Sequence, residues 1–87
     1  MASITVLKFG SSVLASERDL PVAVREVSRA RAAGDGVLAV VSAFAGTTDR
    51  LLDRARRHAE RPDPAALAAL LATGEAVSAA LLAIALE

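Results

Sequence analysis

Apolar residues cluster into two short runs near the start of the chain and two longer periodic stretches after them. Residues 4–9, ITVLKF, are rich in β-branched side chains and stop at Gly10, which predicts a strand. Residues 37–41, VLAVV, form a continuous apolar run between Gly36 and Ser42, the pattern of a parallel strand covered on both faces. Between them Leu20, Ala23, Val24, Val27 and Ala30 recur at helical spacing. Asp19 is a candidate N-cap there, Pro21 is tolerable in a first turn, and Gly34 is a stop signal. Strand, helix and strand make a βαβ unit, for which a right-handed crossover is expected.

The second half predicts helices only. One should begin at Thr47 or Thr48, with Leu51, Leu52, Ala55 and Ala59 on one side and Arg50, Arg54, Arg57 and Arg61 elsewhere. The arginines read as a solvated face paired with acidic neighbours. RPDP, residues 61–64, ends that helix. A third helix is expected over about residues 65–72. A fourth should start after Thr73, as cap, and carry Val77, Leu81 and Ile84 inward at i, i+4, i+7. The predicted order is β-α-β-α-α-α, an α/β class that is mostly helical. Two strands make a poor sheet, so residues 1–87 read as one partial domain, the opening of a larger α/β fold.

Composition narrows the function classes. The chain has 87 residues, enough for one small domain with a marginal core. Ten basic and ten acidic residues balance, so no field of one sign is available to gather nucleic acid or an anionic membrane. Cysteine is absent, which removes disulfide and thiolate chemistry and fits a reducing compartment; the cytoplasm is the expected location. The N-terminal MASITVLKFG has no basic region followed by a long apolar one, so it does not read as a signal peptide. Residues 65–86 tempt a transmembrane reading, but Glu75 stands in their middle, Thr73-Gly74 should break the run, and no membrane partner is expected. His58 has no second histidine or cysteine with which to share a metal, so no metal site is expected.

Three stretches carry candidate chemistry. Lys8-Phe9-Gly10-Ser11-Ser12 follows the first strand, and Ser42 to Thr48 follows the second. In parallel α/β sheets ligands bind at those carboxyl ends, near helix N-termini. The third stretch is Thr73-Gly74-Glu75, whose carboxylate is the one charge between Ala65 and Leu86. Thr48 and Asp49 also make a plain N-cap signature, and Glu75 could be a first-turn carboxylate favoured by a helix dipole.

VLKFGSSV resembles the opening of the aspartate kinases, in the amino-acid kinase family. VVSAFAGTTDRLL resembles that family's second-strand motif, and LLATGEAVSAALLAIAL its Gly-Glu helix motif, in the family's order. The resemblance covers nearly the whole chain and includes the kinase half of aspartate kinase–homoserine dehydrogenase proteins. It implies a three-layer fold with a parallel sheet, and an enzyme that phosphorylates the side-chain carboxylate of L-aspartate with ATP and Mg2+. By matched position, Lys8 would neutralise the transferring phosphoryl group. Gly10, Ser11 and Ser12 would cradle phosphate, and Ser42 would line the same cleft. Thr48 and Glu75 would hold L-aspartate, with Glu75 accepting hydrogen bonds from its ammonium group.

The chain departs from the pattern in two ways. The family's Gly-Gly is a single Gly10, one residue short. The strands that hold adenine, the acidic residues near the metal and a further arginine for aspartate would lie beyond Glu87. By itself the chain is therefore expected to be inactive, to bind neither ATP nor Mg2+ tightly, and to form a homo-oligomer through its Ala- and Leu-rich faces. Another amino-acid kinase is the nearest enzyme alternative. A non-catalytic, self-associating structural or binding module derived from the kinase fold is the alternative of a different class.

Overall fold

The computed structural model describes residues 3–87. Strand β1 (Ile4–Phe9) leads through a 3-10 turn (Glu17–Asp19) into helix α1 (Leu20–Ala32), then strand β2 (Gly36–Val41), helix α2 (Thr47–Arg56) and helix α3 (Pro64–Ala85). The strands pair in parallel, with Val6 opposite Leu38, Lys8 opposite Val40 and Phe9 opposite Val41. The βαβ unit forms where the apolar periodicity placed it.

Local chemistry sets the boundaries. Ser16 caps the 3-10 turn, and the Asp19 carboxylate accepts from the backbone N–H of Ala15 (2.9 Å) and Ser16 (3.1 Å). Asp19 was expected to cap α1 with its side chain; it holds the preceding turn instead and makes no such bond to the helix. Gly34 stops α1 at φ +95°, a conformation that costs glycine little. α2 ends at Arg56, so Ala59 lies beyond it. Asp63 caps α3, accepting from the Ala66 N–H at 2.9 Å, and Pro64 fills the first turn where its missing donor does not matter.

The largest correction concerns α3. The third and fourth helices are one continuous helix of 22 residues. Thr73 does not cap a helix start; its hydroxyl donates to the Leu70 carbonyl at 2.6 Å, inside the helix. Gly74 continues the helix because its missing side chain has a packing use, described below. Val77 and Ile84, expected inward, are exposed, and the buried positions are Gly74, Ser78 and Leu82. α3 approaches its neighbours so closely that small residues line the contact. By length and composition α3 could cross a membrane, and the break expected at Thr73-Gly74 is absent; Glu75 remains in its middle.

The core lies on one face of the sheet. Phe9, Leu14, Ala23, Val27 and Leu82 are buried there together, with Leu7, Val37, Ala39 and Val41 packed against them. α1 and the C-terminal half of α3 thus cover the face that carries alternate strand residues. The other face is bare: Ile4 is 76% exposed, Val6 61%, Leu38 57% and Val40 43%. Parallel sheets are ordinarily covered on both faces. The isolated chain is therefore expected to self-associate, and light scattering at dilute concentration checks this. A folded monomer at the chain's 8.9 kDa mass would contradict it.

Candidate functional site

The first stretch folds into a tight turn at the carboxyl end of β1. The N–H groups of Val13 (3.0 Å) and Leu14 (2.9 Å) both donate to the Gly10 carbonyl, and Leu14 is buried beneath the turn. Ser11 and Ser12 are left on its outside, exposed. Among the described residues their backbone N–H groups donate to no other backbone or side-chain oxygen. A Cβ on Gly10 would meet nothing within 4 Å, so the space beside it is open. Lys8 is exposed, and by strand alternation it shares the bare face with Ile4 and Val6.

The second stretch is tied to the first through backbone bonds. The Ser42 N–H donates to the Phe9 carbonyl at 3.2 Å, and the Ala45 N–H to the Ala15 carbonyl at 2.9 Å. Ala43 is buried and Ser42 half-buried. Gly46, at φ +79°, is the N-cap of α2, so Thr48 and Asp49 are not its cap. Asp49 sits in the helix's first turn, where a carboxylate suits the dipole. Thr48 is exposed and does no capping work.

Arg50 folds back toward this loop. Its guanidinium donates to the Thr47 hydroxyl at 3.2 Å and lies over Gly46, where a Cβ would stand 2.9 Å from one terminal nitrogen. The α2 arginines form a solvated face, but the acidic pairing expected for them is not there. Among the described residues the only ion pair is Arg29 with Glu26, at 3.3 Å.

The third stretch meets the second at Gly74. A Cβ there would stand 3.0 Å from the Ala43 Cβ and 3.1 Å from the Thr47 Cγ2. Gly74 therefore serves close packing of α3 on the Ser42 to Gly46 loop and the first turn of α2. One turn later the buried Ser78 donates its hydroxyl to the Ser42 carbonyl at 2.8 Å. Glu75 follows Gly74 directly and is exposed, with no ion-pair or hydrogen-bond partner for its carboxylate among the described residues. It stands in the middle of α3, so a first-turn dipole role is excluded.

All three stretches thus meet around the carboxyl ends of the strands. Lys8, Ser11, Ser12, Thr48 and Glu75 are each exposed, while Gly10 and Ser42 are half-buried. Two surface hollows lie elsewhere, one lined by Arg50, Asp53, Arg54 and Arg57 and the other by Val27, Ser28, Arg31 and Leu86. Among the described residues no three His, Cys, Asp or Glu side chains are grouped to hold a metal ion, and His58 is exposed after α2. Sequence reasoning missed Ser78 and Ala43. The available signal was the row of small residues, Gly74 and Ser78, four positions apart on an apolar helix.

Comparison with known proteins bears on this arrangement. The chain is 38% identical over 84 residues to an aspartate kinase of Stutzerimonas stutzeri, covering 97% of this chain and 20% of that protein. It is 44% identical over 86 residues to an aspartokinase of Mycobacterium bovis, covering 98% of this chain and 20% of that protein. The crystal structure of an aspartate kinase from Synechocystis matches with a TM-score of 0.90 at 33% identity, covering 97% of this chain and 14% of that one. The chain thus spans about a fifth of the length of the curated relatives it matches. The family model described as the amino acid kinase family matches residues 3–87, and the chain belongs to that family.

Proposed function

We propose that this chain is the N-terminal part of an aspartate kinase and supplies the phosphate and aspartate side of its site. The reaction moves the γ-phosphoryl group of ATP to a side-chain carboxylate oxygen of L-aspartate, leaving ADP and an acyl phosphate. The observation that carries the reading is the meeting of three separate stretches at one end of the sheet, with Lys8, the Ser11 and Ser12 N–H groups, Thr48 and an unpaired Glu75 all open to solvent. Phosphoryl transfer depends mostly on positioning and charge stabilisation. A lysine and free backbone donors suit the phosphate oxygens, and a carboxylate suits an ammonium group.

The residues fit the phosphate end of ATP. They do not fit Mg2+, because the described residues offer no grouped carboxylates. The rest of the site would come from the four-fifths of the relatives that this chain does not match. On this reading α3 packs within a soluble kinase domain, and the cytoplasm is its compartment. The bare sheet face also favours a second reading, a self-associating module without catalysis.

A chimaera decides between them. In it, these 87 residues replace the matched segment of the Stutzerimonas stutzeri aspartate kinase. Aspartate-dependent ADP release is expected from the chimaera. Glu75→Gln should raise the half-saturating aspartate concentration by about ten- to a hundredfold, the worth of a hydrogen bond to a charged group. The thermal midpoint should stay level, since Glu75 has no partner to lose and glutamine suits a helix equally well. Unchanged aspartate dependence would remove Glu75 from the site, and a folded chimaera without turnover would favour the module.

A further inference from the structure

Ser78 is the one buried polar residue among the described residues, at 0% exposure. Three carbonyls lie within reach of its hydroxyl: Ser42 at 2.8 Å, Glu75 at 3.1 Å and Gly74 at 3.5 Å. A hydroxyl has one hydrogen to give. A serine inside a helix ordinarily turns it back to a carbonyl three or four residues earlier. Here the shortest contact leaves the helix and reaches Ser42 in the loop after β2.

Ser42 is itself a junction. Its N–H donates to the Phe9 carbonyl, at the end of β1 and next to Gly10, while its carbonyl accepts from Ser78. One peptide unit on either side of a single residue therefore links Lys8-Phe9-Gly10 to α3. The Gly74 contact with Ala43 and Thr47 sets how near α3 comes, but apolar contact is not directional. A hydrogen bond at 2.8 Å is directional and fixes rotation and sliding of the helix as well.

We infer that Ser78 is a positioning residue for the candidate site: its hydroxyl sets the register of Glu75 on α3 against the loop from Ser42 to Gly46 that leads into α2, and through Ser42 against Lys8. The bond itself rests on the geometry alone, whereas its consequence for aspartate rests on the proposed function. Ser78 is fully buried and acts through Ser42, not by touching substrate.

Ser78→Ala removes the hydroxyl, and alanine is the best helix former, so the helix survives the change. The first measurement is backbone NMR on the 87-residue chain. Chemical-shift changes are expected at the Ser42 carbonyl carbon and at the amides of Phe9, Gly10, Ala43, Thr47 and Thr48. Changes confined to α3 would mean that the hydroxyl bonds its own helix, which overturns the inference. The second measurement is kinetic, in the chimaera described above. The aspartate KM should rise about tenfold or more while the ATP KM holds, since misplacement by about 1 Å costs up to about a hundredfold. A lower thermal midpoint with both KM values unchanged would reduce Ser78 to a packing residue and overturn its positioning role. A chimaera with Ser78 intact that shows no aspartate-dependent turnover would overturn the kinase reading instead, and the NMR result would still decide the bond.

Discussion

Replacing Gly74 by valine is expected to destabilise the 87-residue chain by about 2 kcal/mol or more, within the range for overpacked interiors. The first added carbon would already stand 3.0 Å from the Ala43 Cβ and 3.1 Å from the Thr47 Cγ2. The Ala43 Cβ is fixed to the backbone and has no rotamer through which to retreat, and Ala43 is buried. α3 or the loop must therefore move, and with it the Ser78–Ser42 bond. Gly74→Ala separates the terms. Removing a mid-helix glycine gains about 0.5–1 kcal/mol, which offsets much of the strain from one carbon. Its stability should lie near that of the native chain. Chemical denaturation followed by circular dichroism checks both, and a valine variant as stable as the native chain would show that α3 does not come this close.

The parts that the sequence made legible are those with a strong local period. The strand at ITVLKF, the helix through Ala23 and Val27, the stop at Gly34 and the start of α2 at Thr47 all follow from spacing and turn chemistry. α3 was misread because Thr73-Gly74 has two physical uses. A hydroxyl residue and a glycine can start a helix, or they can sit inside one where the hydroxyl back-bonds and the glycine admits a neighbour. Only the position of Ala43 and Thr47 distinguishes the two. The same close approach explains why Val77 and Ile84 are exposed. Hydropathy ranks large residues as inward, whereas a tight contact selects small ones. The three motif stretches, far apart in sequence, lie near one another at one end of the sheet. Ser78 was not legible, because nothing local shows that its hydroxyl leaves its own helix.

Lys8→Ala should lower the chimaera's kcat by about 10²–10³-fold, the scale for deleting one charge-stabilising donor from a transition state. Lys8 is exposed at the carboxyl end of β1, beside the turn whose Ser11 and Ser12 N–H groups are free among the described residues. Removing an exposed side chain leaves the core of Phe9, Leu14, Ala23, Val27 and Leu82 intact, so the thermal midpoint should hold. A loss of activity accompanied by unfolding would point to structure rather than charge. A small loss with the fold intact would remove Lys8 from the chemistry.

If this chain holds one side of an aspartate kinase site, it needs the remainder of the enzyme to act. The most direct measurement is ADP release with L-aspartate and Mg-ATP, made in parallel on the 87-residue chain and on the chimaera. No turnover is expected from the chain alone, and turnover from the chimaera should depend on aspartate and collapse in Lys8→Ala. Aspartate-dependent turnover by the isolated chain, or a folded chimaera that releases no ADP, would contradict it.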